Sequence, residues 1–120
     1  MNLAAAFIAA SNGRVLYRIS AVLGQLHPER SDDRASTWQP IPLPRNQYPT
    51  VLAVDPRDEY SVWVAAAGVL YHSIDGGGTW QQAELPHPSS WQINSMTFDP
   101  SGHVLHVAFE SHGVWELNLQ

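Results

Sequence analysis

An all-β fold built from a repeated four-stranded antiparallel unit is what this 120-residue sequence predicts. Three observations carry the prediction. The apolar runs are short, rich in Val, Leu, Trp and Tyr, and separated by Gly, Pro and Asp, which suits strands and is too short for helices. The chain also repeats itself. Asp55-Pro56 recurs as Asp99-Pro100, 44 residues on, and Thr37-Trp38-Gln39 recurs as Thr79-Trp80-Gln81, 42 residues on. Val15-Leu16-Tyr17 likewise matches Val69-Leu70-Tyr71. Finally, a glycine-rich turn motif, Ser73-Ile74-Asp75-Gly76-Gly77-Gly78-Thr79-Trp80, sits between two of the apolar runs. A repeat of about 42 to 45 residues made of such runs fits one β-propeller blade per unit.

The strands of a blade are named here inner, second, third and outer. In the middle unit, residues 45–86, they fall at 48–54, 61–67, 69–74 and 79–84, a complete blade. The first unit, residues 1–44, offers second, third and outer strands at 3–10, 14–19 and 37–41, with no inner strand before them. Its third and outer strands are separated by a long polar stretch, 20–36, expected to be a surface loop. The last unit, residues 87–120, offers inner, second and third strands at 92–98, 104–109 and 113–119, with no outer strand. The total is about ten strands, an open arc of two and a half blades. Asp55-Pro56 and Asp99-Pro100 mark the first turn of their units, because Pro fixes φ and Asp bonds the backbone two residues on. Leu43-Pro44 and Pro86-His87-Pro88 read as connectors between blades.

Composition removes several function classes. A net charge of −5 argues against a nucleic-acid binder, which needs a basic face. Without cysteine there is no disulfide scaffold and no thiolate zinc site. No apolar run reaches the roughly 18 residues of a membrane span. The opening Met1–Ser11 stretch lacks a basic residue ahead of a short apolar core, so it makes a poor signal peptide. Cytoplasmic and exported locations both stay open.

The turn motif has the pattern S-x-D-x-G-x-T-W. Consecutive glycines allow positive φ in a tight hairpin. Asp75 can accept hydrogen bonds from the N–H groups of the turn, while Ser73 and Thr79 tie its flanks. Trp80 can fold over the hairpin base as an apolar plug. With Gly77, these residues form a structural unit rather than a catalytic one. The motif resembles the Asp-box, or BNR repeat, and the chain resembles Asp-box propellers: sialidases, xyloglucan-active glycoside hydrolases, Vps10-sortilin receptors and photosystem II assembly factors. That resemblance implies a propeller fold and places the box on the blade periphery. It implies no single activity, because enzymes and non-enzymes share the box. One copy is intact; of the first unit's copy only Thr37-Trp38 is recognisable.

No convergent catalytic set emerges. Tyr17-Arg18-Ile19-Ser20 is similar to the sialidase segment that carries one arginine of a triad, but it lacks the proline and no partner arginines follow. Glycoside hydrolysis needs two carboxylates across a cleft, and the obvious pair, Asp55 and Asp99, occupy equivalent turns. His103, His106 and His112 fit no metal-ligand spacing, and no cofactor is implied. The five tryptophans are expected mainly in the core. The reading is a non-catalytic propeller segment serving as a binding or assembly module. The alternative is a fragment of a glycoside hydrolase or sialidase-like enzyme with its catalytic residues in absent blades. A protein or glycan partner fits either reading. An open arc should expose apolar blade faces, so self-association or dependence on missing blades is expected.

Overall fold

The computed structural model describes residues 7–9, 14–22, 25–44, 49–66, 68–83 and 91–119. These hold eleven strands in three antiparallel sheets. The first sheet is β1 (Phe7–Ala9), β2 (Leu16–Val22), β3 (Gln25–Ser31) and β4 (Gln39–Pro40), in that spatial order. The second is β5 (Val51–Val54), β6 (Val62–Ala66), β7 (Val69–Ser73) and β8 (Gln81–Ala83). The third is β9 (Ile93–Phe98), β10 (Val104–Phe109) and β11 (Gly113–Asn118), three strands in all. Each sheet is an up-and-down meander, so every strand pairs with its neighbour in sequence.

The first sheet corrects the sequence reading. The stretch 20–36 is not a loop: most of it is the end of β2 and all of β3, which pair from Leu16↔Ser31 to Val22↔Gln25. Phe7–Ala9 is therefore an inner strand, paired with Leu16–Arg18, and the first unit has all four strands. Tyr17 does not correspond to Tyr71; it belongs to a second strand, as Trp63 does. The physical reason is legible in β3 itself. Its sequence, Gln-Leu-His-Pro-Glu-Arg-Ser, carries charges and a proline, which usually mark a connection. Pro28 fits here because its carbonyl faces the β4 side, where it accepts from Ile41 N–H at 2.8 Å. Its missing N–H points the same way, so the ladder to β2 is intact. Residues 3–6, 10, 48, 67 and 84–90, which carry parts of other expected strands and the second connector, lie outside the described residues.

Strand alternation sends one face of each sheet against the next. Between the first and second sheets, Val15, Tyr17 and Ile41 pack on Leu52, Val54, Val62 and Val64. Between the second and third, Ala53, Trp63, Ala65 and Leu70 pack on Ile93, Met96, Leu105, Val107 and Phe109. Both faces of the second sheet are covered, which is why Val62–Ala66 is buried at every position without polar alternation.

The two outward faces of the row carry polar and charged side chains at positions that are apolar in the middle sheet. In the first sheet, Arg18 takes the place that Val64 and Val107 take in the others, and Glu29 takes that of Tyr71. Arg18 Nε donates to Glu29 Oε1 at 2.7 Å, Glu29 Oε2 lies 3.3 Å from His27 Nε2, and the Arg18 guanidinium stacks on Trp38, 4.1 Å from the ring centroid. On the third sheet, Ser95, Thr97, His106 and Glu116 share the outward face with Val104, Ala108 and Val114, His106 taking the place of Tyr17 and Trp63.

Candidate functional site

The hairpin between β7 and β8 is built by side chains. Ser73 Oγ donates to Asp75 Oδ1 at 2.7 Å and accepts from Gly77 N–H at 2.8 Å. Asp75 Oδ1 also accepts from Thr79 N–H at 2.9 Å, and Oδ2 accepts from the Thr79 hydroxyl at 2.7 Å. The left-handed backbone falls at Gly76 and Gly77, with φ of 73° and 100°. A Cβ on Gly77 would run into Ile41 from the first sheet, so the position also lets two blades meet closely. Trp80 is half-buried and packs on the cluster between the first and second sheets.

The hairpin between β3 and β4 is the same object. Ser31 Oγ donates to Asp33 Oδ1 at 2.7 Å and accepts from Ala35 N–H at 2.8 Å. Asp33 Oδ1 accepts from Thr37 N–H at 2.9 Å and Oδ2 from the Thr37 hydroxyl at 2.6 Å. Ser31-x-Asp33-x-x-x-Thr37-Trp38 is thus a second complete turn, 42 residues before the first. The sequence alone displays only its Thr37-Trp38 end. The missing signal is glycine: Arg34 and Ala35 take the left-handed positions, with φ of 58° and 76°. The Ser, Asp and Thr positions at identical spacing were the cue that remained.

Hydrogen bonds decide the protonation of both carboxyls. Asp75 is held down to about 2 by the Thr79 N–H and the hydroxyls of Ser73 and Thr79. Asp33 is likewise held down to about 2, by the Thr37 hydroxyl and N–H and by Ser31. Each carboxylate accepts from its own serine, threonine N–H and threonine hydroxyl, so neither is set up as a proton donor or a free metal ligand.

The Asp-Pro turns show a related economy. Asp55 is buried and accepts from its neighbour Arg57 through N–H, Nε and Nη2, at 2.8, 3.2 and 3.1 Å. Asp99 accepts from the Ser101 hydroxyl at 2.7 Å and the Val104 N–H at 3.1 Å, and its carboxyl is held below the usual range, first by Ser101. Pro56 and Pro100 follow them into the turns, which lie side by side. They line a shallow apolar cleft with Ala53, Val54, Met96 and Phe98, open between the second and third sheets.

Arginines carry polar contacts from blade to blade. Arg14 Nη2 meets Glu59 Oε1 at 3.0 Å, Arg30 Nη1 donates to the Gly76 carbonyl at 2.8 Å, and Arg57 Nη1 lies 3.3 Å from His103 Nδ1. Tyr17 Oη donates to the Glu59 carbonyl at 2.7 Å, and burial raises the hydroxyl's pKa.

One pairing was not expected from sequence: Ser61 Oγ lies 2.9 Å from His72 Nε2. It is not arranged as a nucleophile and base. Ser61 is buried, and the Asp55 carboxylate nearby is occupied by Arg57 rather than orienting the imidazole. His72 stacks on Trp63, centroids 3.9 Å apart and 11° from parallel, and burial lowers its pKa. Of the other histidines, His112 stacks on Trp91 at 3.8 Å, and His106 lies opposite Thr97 and Glu116. His87 lies outside the described residues. Among the described residues, no three His, Asp or Glu side chains come together as a metal site. Arg18, in the sialidase-like segment, is engaged by Glu29 and Trp38.

No family model and no curated protein sequence matches the chain. Solved structures do. A GH74 enzyme of Niastella koreensis superposes with a TM-score of 0.75 at 18% identity, over 94% of this chain and 21% of that one. A GH74 xyloglucanase from Xanthomonas campestris gives 0.71 at 18% identity, over 96% and 20%. YCF48 bound to D1 peptide gives 0.70 at 12% identity, over 99% and 40%. The chain has a β-propeller-type fold. It spans about a fifth of the two hydrolases and two fifths of YCF48. At these identities the likeness is one of fold.

Proposed function

We propose that this chain is a segment of an Asp-box (BNR) propeller and serves as a non-catalytic binding or assembly module. The observation behind it is that the motif's acidic groups are consumed by their own turns. Asp33 and Asp75 are each saturated by Ser, Thr and backbone donors, and Asp55 is closed off by Arg57. Ser73, Gly77, Thr79 and Trp80 act with Asp75 as a brace between the third and outer strands, and Asp55-Pro56 and Asp99-Pro100 act as turn formers. YCF48, similar in fold, has been solved with a peptide bound, which supports a protein partner for a scaffold of this shape.

The second reading, a fragment of a glycoside hydrolase, is favoured by the GH74 neighbours, of which this chain covers about a fifth. One paired experiment separates the two. The chain is incubated with xyloglucan and a panel of aryl glycosides while reducing ends are measured, and in parallel it is probed on peptide and glycan arrays. Binding without turnover is expected. Hydrolysis that scales with protein concentration defeats the proposal, and so does an absence of binding on both arrays.

A further inference from the structure

We infer that the Asp75–Gly76 bond is an isoaspartate-forming site that the folded hairpin holds shut and that unfolding opens. It is the one Asp-Gly pair of the sequence. The chemistry needs only the chain and water. The Gly76 amide nitrogen attacks Asp75 Cγ and loses its proton, and a carboxyl oxygen departs as water. The resulting succinimide takes up water at either carbonyl. Opening at the original backbone carbonyl leaves an isomer of the protein whose chain runs through Cγ.

Glycine favours the step because no Cβ shields its nitrogen. Asp55 and Asp99 are barred from it, since the proline after each has no N–H to lose. Asp33, in the matching turn, is followed by Arg34, and a side chain on the following residue crowds the attacking nitrogen. The glycines that ease the second turn's backbone thus bring a chemical liability that the first turn lacks.

In the folded chain both reacting groups are tied down. Gly76 N–H donates to the Tyr60 carbonyl at 2.9 Å, which pins its peptide plane against the neighbouring turn. Asp75 Oδ1 accepts from Ser73 Oγ and Thr79 N–H, and Oδ2 accepts from the Thr79 hydroxyl. These donors hold the carboxyl ionised, and a carboxylate has no hydroxyl to release as water. The carboxyl lies over Gly78, where a Cβ would sit 3.2 Å from Oδ2. Attack therefore waits for the turn to open, and its rate follows the opening equilibrium. The change is then retained. In isoaspartate the free carboxyl sits directly on Cα, one carbon short of the place that Ser73 and Thr79 grip, so the brace does not re-form.

The chain is aged at neutral pH, folded in buffer and unfolded in urea. Tandem mass spectrometry assigns isoaspartate to position 75, apart from the Asn12-Gly13 pair. Position 75 should convert at least about tenfold more slowly folded than unfolded, because a hydrogen-bonded turn must first open. Thr79→Val removes the hydroxyl and keeps the N–H; it should speed conversion in the folded chain at least about threefold and leave the urea rate unchanged. A thermal melt verifies that this variant is folded at the ageing temperature. Should it not fold, the two states of the unaltered chain decide. Equal rates at position 75 in those two states overturn the inference. So does a folded Thr79→Val chain that ages no faster than the original, or an Asp33 that matches Asp75 in urea.

Discussion

At the scale of single residues, the two Ser-Asp-Thr turns make a natural experiment on glycine. They share their hydrogen bonds to within 0.1 Å, yet one crosses the left-handed region with Gly76-Gly77 and the other with Arg34-Ala35. A side chain in that region costs about 1 kcal/mol, so Ala35→Gly should stabilise the chain by up to about that amount in chemical denaturation, less the entropy that glycine adds to the unfolded state. Gly77→Ala should destabilise, since Ile41 already fills the space a Cβ would take. This contrast explains what could be read of the motif in advance. The copy at 73–80 announced itself by its glycines, while the copy at 31–38 rests on Ser31, Asp33 and Thr37, which in isolation resemble any polar loop. The carboxylates also set an acid limit. Their folded pKa values, about 2, lie below the ordinary 3.8, so their contribution is complete above pH 3.8 and is lost as pH falls toward 2. Asp33→Asn with Asp75→Asn should lower the melting temperature at pH 7 and flatten its dependence on pH in that window.

Among elements, legibility followed burial. β6 and β10 could be read because both are apolar runs wedged against a neighbouring sheet. β3 escaped because its partners are polar: Glu29 answers Arg18, and Pro28 sits where no donor is needed. The interface that the second and third sheets share should be the more sensitive to truncation. Trp63 is 6% exposed at its centre, and Trp63→Ala should cost about 3–5 kcal/mol, read as a shift in denaturant midpoint at constant slope. The imidazole stacked on that ring gives the interface a pH response. Burial keeps the folded pKa of His72 below the ordinary 6.5, so protonation favours the unfolded chain. Stability should be full above pH 6.5 and decline as pH falls below it, and His72→Gln should remove that slope from a series of thermal melts between pH 7.5 and 5.

For the whole molecule, the replacement of apolar positions at the two ends outweighs any count of strands. Val64 and Val107 each belong to the cluster that holds an aromatic ring of the preceding sheet, Tyr17 or Trp63, whereas among the described residues Arg18 faces no preceding sheet and His106 no following one. Arg18→Ala would leave Glu29, 8% exposed, without its guanidinium, at a cost of about 2–3 kcal/mol. Arg18→Val combined with Glu29→Tyr copies the second sheet's face onto the first. It should keep the fold while adding dye binding and aggregation measured by light scattering, because an apolar face then lies uncovered.

Among the described residues, the middle sheet is the one whose two faces are both packed, and that arrangement ranks the order in which the three sheets open. Either outer sheet can detach by giving up a single interface, but the middle one must surrender two. Amide hydrogens of β5, β6 and β7 should therefore exchange last, near the rate of global unfolding, while those of β2 and β10 should open earlier through partial detachment. In such a row, damage at an end stays at that end, whereas loss of the middle sheet undoes both interfaces, the one that holds Val64 and the one that holds Trp63.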